Sequence, residues 1–152
     1  IHCCQANIDD MNPQVFEHVF DLLLAAGALD VYVENIIMKK SRPGFLLTVL
    51  SNEENLGKIT RLVLNETTTS GVRYHALQRV KLPRSMRYID YKGRAVRVKC
   101  FQLESGDERL VPEYEDCRQL AVTTGISLLK IINVIQRKVK GVDYEHQRSG
   151  RH

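Results

Sequence analysis

No stretch of this sequence approaches the run of about 18 apolar residues that a membrane-crossing helix requires, so no part of it is expected to span a bilayer in that way. Strong charge is missing too. The 22 basic and 18 acidic side chains leave a formal charge of +4, too mild to call for nucleic acid unless the cations cluster. Zinc-finger spacing is absent, because Cys3, Cys4, Cys100 and Cys117 form no Cys-x-x-Cys and face no histidine at ligand distance in the sequence. They read as ordinary buried thiols of a cytosolic protein. His18 and His75 have no partner at ligand spacing either and are assigned no role. Neither an initiator methionine nor an apolar signal segment opens the chain. The expectation is a piece of a longer, unsecreted protein located in the cytoplasm.

What is present suits one ordinary domain with a real core: 152 residues, 43% hydrophobic and 26% charged. His2 to Ile8 predicts a strand, and Asn12-Pro13 predicts a helix start, with Asn12 as N-cap and Pro13 as first helical residue. Phe16, Val19, Phe20 and Leu23 recur at the spacing of one helical face, and Gly27 closes that helix. Leu29 to Met38 and Phe45 to Leu50 predict a hairpin turning at Ser41-Arg42-Pro43-Gly44. Ser51 with Glu54 forms a capping box for a second helix, and Val72 to Leu82 predicts a fourth strand. The order is βαββαβ, the α+β ferredoxin-like fold. Arg87 to Tyr91 and Arg94 to Leu103 add a β-hairpin through Lys92-Gly93. Two C-terminal helices follow, one opened by Pro112 and stopped by Gly125, the other capped by Ser127. Leu128 to Ile135 carries an apolar arc wide enough to predict a second copy of the chain as partner. The expected division is a ferredoxin-like domain over 1–83, a hairpin plus two-helix extension over 84–141, and a polar tail over 142–152. An RNA-binding sheet is disfavoured, since Phe45 is the one aromatic of the expected third strand and the first has none.

Topology points to a site that no single motif specifies. In a βαββαβ sheet the first two strands run one way and the last two run back. Three connections therefore meet at one edge: 7–12, 38–44 and 66–73. Asp9 and Asp10 offer either hard oxygen ligands for Mg²⁺ or Mn²⁺, or negative charge for the start of the first helix. Lys39, Lys40 and Arg42 are either phosphate clamps or solvated cations of a hairpin tip. Thr67, Thr68 and Thr69 before Ser70-Gly71 either approach an anion or punctuate a helix end. Arg73 is a phosphate ligand or a strand-edge residue. Glu113, Glu115 and Asp116 read as a solvated helix start.

Five blocks, Asn7-Ile8-Asp9-Asp10-Met11-Asn12-Pro13, Ala25 to Val31, Met38 to Gly44, Glu66 to Tyr74 and Pro112 to Cys117, together resemble the LarC family. Its members are pyridinium-3,5-bisthiocarboxylic acid mononucleotide nickel insertion proteins. The resemblance implies the C-terminal part of a CTP-dependent cyclometallase, a lyase-class nickel chelatase. In it, CTP with Mn²⁺ or Mg²⁺ supports insertion of Ni²⁺ into the organic precursor of the nickel-pincer cofactor of lactate racemase. It also implies a missing N-terminal domain as partner, so that this fragment binds nucleotide without completing nickel insertion. The competing expectation is a non-catalytic ferredoxin-like module for small-molecule binding or oligomerisation.

Overall fold

The computed structural model describes residues 1–149, with side chains as far as Gly141. The chain divides into two compact units, Ile1–Val80 and the segment from Lys81 onward.

The first unit contains β1 (His2–Ile8), α1 (Val15–Ala25), β2 (Asp30–Met38), β3 (Arg42–Ser51), α2 (Glu53–Glu66) and β4 (Arg73–Ala76). Its four strands lie in the order β2-β3-β1-β4, every neighbouring pair antiparallel. This is the ferredoxin-like arrangement that the βαββαβ pattern predicts. Period-two alternation puts Cys4, Ala6 and Ile8 on one face of β1, where they are buried with Leu47 and Val49 of β3. Against that face pack Val19 and Leu23 of α1 and Ile59 and Val63 of α2, all essentially inaccessible. The helices form because their apolar residues recur every three to four positions, and burial of that stripe holds them more than propensity does.

Local details differ from the sequence expectation for identifiable reasons. The hairpin turns at Lys39–Ser41, two residues earlier than the expected Ser41 to Gly44, and Arg42, Pro43 and Gly44 belong to β3. Proline is tolerated there because Pro43 lies beyond the last β1 pair, Ile8 opposite Phe45, so on that side β3 is locally an edge. Ser51 does not cap α2. Its pairing with His2 keeps it extended and buried, and Asn52 takes the N-cap position instead. Helix α1 begins at Val15, with Asn12 shaping the preceding turn: its Oδ1 accepts the Gln14 N–H at 3.0 Å. Strand β4 ends at Ala76 rather than at Leu82. After Leu77 donates its N–H to Ile1 C=O, the chain meets no partner strand among the described residues, and Val80 is 99% exposed.

The second unit contains β5 (Arg84–Tyr91), β6 (Arg94–Gln102), β7 (Glu108–Pro112), α3 (Tyr114–Thr124) and α4 (Leu128–Ser149). Its sheet runs β5-β6-β7, antiparallel throughout. The hairpin turns at Lys92-Gly93 as expected, with its first strand beginning earlier, at Arg84 rather than Arg87, and its second ending at Gln102; β7 is an addition, and Pro112 ends that strand instead of opening a helix. A tight turn makes β7 possible: Leu103 N–H bonds Asp107 C=O and Gly106 stands at φ +85°. Val96, Val98 and Cys100 of the sheet bury against Cys117 and Leu120 of α3 and Ile131 and Ile135 of α4. Helix α4 passes through Gly141 to Ser149, where the sequence expectation places a loose polar tail from 142. An internal glycine costs a helix only about 1 kcal/mol and does not by itself stop it. Residues 150–152 of that expected tail lie outside the described residues.

Candidate functional site

The three connections that the topology sends to one edge of the first sheet do meet, and they meet through side chains. Asp9 follows the last residue of β1, and its Oδ2 lies 3.3 Å from Nη1 of Arg42, at the start of β3. Asp10 accepts a hydrogen bond from the Thr68 hydroxyl, which comes from the α2–β4 connection. Arg73, opening β4, donates from Nη1 to Oδ1 of Asn7 on β1 at 2.5 Å. Residues far apart in sequence are thus joined across the sheet end by strand register.

The hairpin tip is shaped by two consecutive left-handed residues, Lys40 at φ 61° and Ser41 at φ 55°. Each costs about 1 kcal/mol or more outside glycine. This compact turn leaves Lys39 and Lys40 exposed, without an ion pair among the described residues, and starts β3 with Arg42 opposite Met38. The threonines divide by role. Thr67 donates to Val63 C=O at 2.7 Å and Thr69 to Gly71 C=O at 2.9 Å, so their hydroxyls shape the helix end and the turn. Thr68 alone of the three is bonded to a carboxylate.

All the donors at this edge are hard oxygens: two carboxylates, a hydroxyl and an amide oxygen. That set suits Mg²⁺ or Mn²⁺, which take one or two carboxylates and complete their shell with water and phosphate. Asp9 and Asp10 would hold such an ion, whose chemistry there would be to neutralise phosphate charge. Among the described residues no group of three or more His, Cys, Asp or Glu side chains gathers to hold a metal, at this edge or elsewhere. All four cysteines are buried. Burial, with the neighbouring Cys3 thiol, pushes Cys4 up to about 11, so it stays a neutral thiol at physiological pH.

Asn7 carries no motif that marks it in the sequence. The available signal was a polar residue one step before Ile8, on the opposite face of β1 from the core. A second correction concerns the start of α3, where the carboxylates are engaged rather than merely solvated. Asp116 accepts from Nη2, Nε and the backbone N–H of Arg97 at 2.6, 2.9 and 2.9 Å. Glu113 pairs with Lys99 at 2.8 Å and Glu115 with Arg118 at 2.7 Å. These contacts tie the beginning of α3 to β6 and within itself, a structural use of charge.

The hydrogen bonds from Arg97 hold the Asp116 carboxyl below its usual value near 4. Its contribution to stability is therefore full above that value and is lost as pH falls through the lower folded value. Unfolding free energies measured between pH 7 and pH 3 should decline at the acid end, and Asp116→Asn should flatten that decline. An identical acid limb in the variant would rule out this assignment.

The nickel insertion protein family matches residues 1–132. A putative nickel insertion protein of Geotalea uraniireducens is 42% identical over 93% of this chain, which covers 36% of that protein. The pyridinium-3,5-bisthiocarboxylic acid mononucleotide nickel insertion protein of Desulfitobacterium hafniense strain Y51 is 40% identical over 90% of the chain, covering 34% of its length. The chain thus spans about a third of the curated relatives it matches. Among solved structures, the apo form of LarC2, the C-terminal domain of a cyclometallase involved in synthesis of the NPN cofactor of lactate racemase, superposes with a TM-score of 0.84. It is 37% identical, and the match covers 91% of this chain and 96% of that one. A Methanopyrus kandleri protein shares the fold at a TM-score of 0.65 and 22% identity. On a family match over residues 1–132 and relatives at 40% identity or more, the chain belongs to the nickel insertion protein family.

Proposed function

We propose that this chain is the CTP- and divalent-metal-binding C-terminal domain of a CTP-dependent cyclometallase. The whole protein would insert Ni²⁺, its substrate metal, into the pyridinium bisthiocarboxylate mononucleotide precursor of the nickel-pincer cofactor of lactate racemase. The observation that carries the reading is the set of contacts at one end of the first sheet: Asp9 with Arg42, Asp10 with Thr68 and Arg73 with Asn7. Lys39, Lys40, Arg42 and Arg73 supply phosphate-binding cations, and the Thr67 to Thr69 turn lies at the same end of the sheet. Asp9 and Asp10 supply the metal side. Nickel insertion itself is assigned to the full-length protein, with the precursor and the N-terminal domain as partners.

Calorimetric titration with CTP, ATP and GTP, each with and without Mn²⁺, tests the reading. CTP should bind more tightly than the purines, and Mn²⁺ should tighten it further. Absence of CTP binding in both conditions would overturn it.

We also propose a homo-oligomer. Ile131 and Ile135 are consumed by the core of the second unit, yet Leu129 of α4 and Val122 of α3 each remain 74% exposed. Light scattering at micromolar concentration should show more than one copy, and a clean monomer would refute this.

A further inference from the structure

The two arginines of the site are not equivalent in what they must give up to bind a phosphate. Arg73 rests on Asn7, a neutral amide oxygen, at 2.5 Å. A phosphate can replace that acceptor with a charged one, which strengthens the hydrogen bond. Arg42 rests on Asp9, a carboxylate, at 3.3 Å. Drawing Arg42 onto a phosphate breaks an ion pair and leaves the Asp9 carboxylate facing a second anion. A divalent ion on Asp9 reverses that balance, since it takes over the carboxylate and frees the guanidinium together.

Resting on the nucleotide reading above, we propose that Arg73 is the metal-independent phosphate anchor and that Arg42 is a metal-conditional one, held in reserve by Asp9. The Arg42–Asp9 contact is partly solvated, with side chains 56% and 23% exposed. It is a weak latch, easily displaced once a cation arrives. Asn7 enters the site as the positioning residue that holds Arg73 in place at the sheet end. Thr68 does the same for Asp10, through the hydroxyl that donates to its carboxylate. The arrangement couples metal and nucleotide affinity through a named contact, and the coupling must be reciprocal.

The test is calorimetric titration of CTP and of inorganic tripolyphosphate into the 152-residue chain and its variants, with and without Mn²⁺. Circular dichroism checks the fold of each variant, with Arg42→Gln standing in should Arg42→Ala unfold. Arg73→Ala should lose affinity about 10- to 100-fold in both conditions, the worth of charge-assisted hydrogen bonds. Arg42→Ala should show its loss in the Mn²⁺ arm. Asp9→Asn should lose the Mn²⁺ enhancement yet gain about two- to fivefold in metal-free affinity, the worth of an exposed ion pair. Removing a negative charge would also help an anion bind, so the discriminating measurement is the double variant. The metal-free gain of Asp9→Asn should disappear when Arg42→Ala is added.

If the unaltered chain bound no CTP with or without Mn²⁺, the nucleotide reading would fall and this division of labour with it. If it bound CTP with metal dependence, but Arg42→Ala weakened both arms equally or the Asp9→Asn gain survived in the double variant, the reading would stand and the division of labour would be overturned.

Discussion

Leu47→Ala is expected to lower the unfolding free energy by about 2 to 5 kcal/mol, the range for truncating a fully buried leucine. Leu47 sits in the middle of β3, a strand with neighbours on both sides, opposite Ala6 of β1 and Val33 of β2, and has no exposed surface. Its neighbour Ala6 is too small to move into the space left behind, so the cavity persists and adds to the lost transfer energy. Guanidinium denaturation followed by circular dichroism measures the effect. Ile37 of β2, 75% exposed, is the control, since surface truncations usually stay within about 0.5 kcal/mol. A Leu47→Ala loss no larger than that of Ile37→Ala would mean the first unit does not draw its stability from this layer.

Gly44→Ala is expected to cost about 1 to 3 kcal/mol, as overpacking does, and to disturb the site as well. A Cβ on Gly44 would stand 2.9 Å from the carbonyl oxygen of Ile8 and 2.7 Å from the sulfur of Met38. The Met38 thioether can swing away. The Ile8 backbone cannot yield without moving Asp9, the next residue, away from Arg42, two positions before Gly44. Thermal unfolding should shift down by about 5 °C or more for a unit of this size, and the Mn²⁺-dependent part of CTP affinity should fall with it. An unchanged melting temperature would show that the strand ends have slack the geometry does not reveal. If the melting temperature fell but Mn²⁺ enhancement of CTP binding stayed intact, the strand packing and the site would be independent.

Much of the first unit was legible because its signals are local and periodic. Phe16, Val19 and Leu23 mark a helical face, and the β-branched run before Met38 marks a strand. Their order then leaves few ways to pair the strands. The same topology, fixed by the order of elements alone, brings the segments holding Asp9, Arg42, Thr68 and Arg73 to one edge. Less legible was β7, five residues long with only Leu110 and Val111 as apolar signal. Its existence depends on the edge that β6 offers.

The sequence by itself therefore determined the order of elements in the first unit, its buried faces and the edge at which chemistry-bearing residues gather, because hydrophobic period and strand direction are properties of the chain alone. Tertiary structure decided the pairing within that edge: Arg42 with Asp9, Thr68 with Asp10, and Arg73 with Asn7. Those choices turn on strand register and on a turn that starts β3 at Arg42. A one-residue slip would send each side chain to the other face of the sheet. Such ångström-scale placement arises only once the strands have closed on one another.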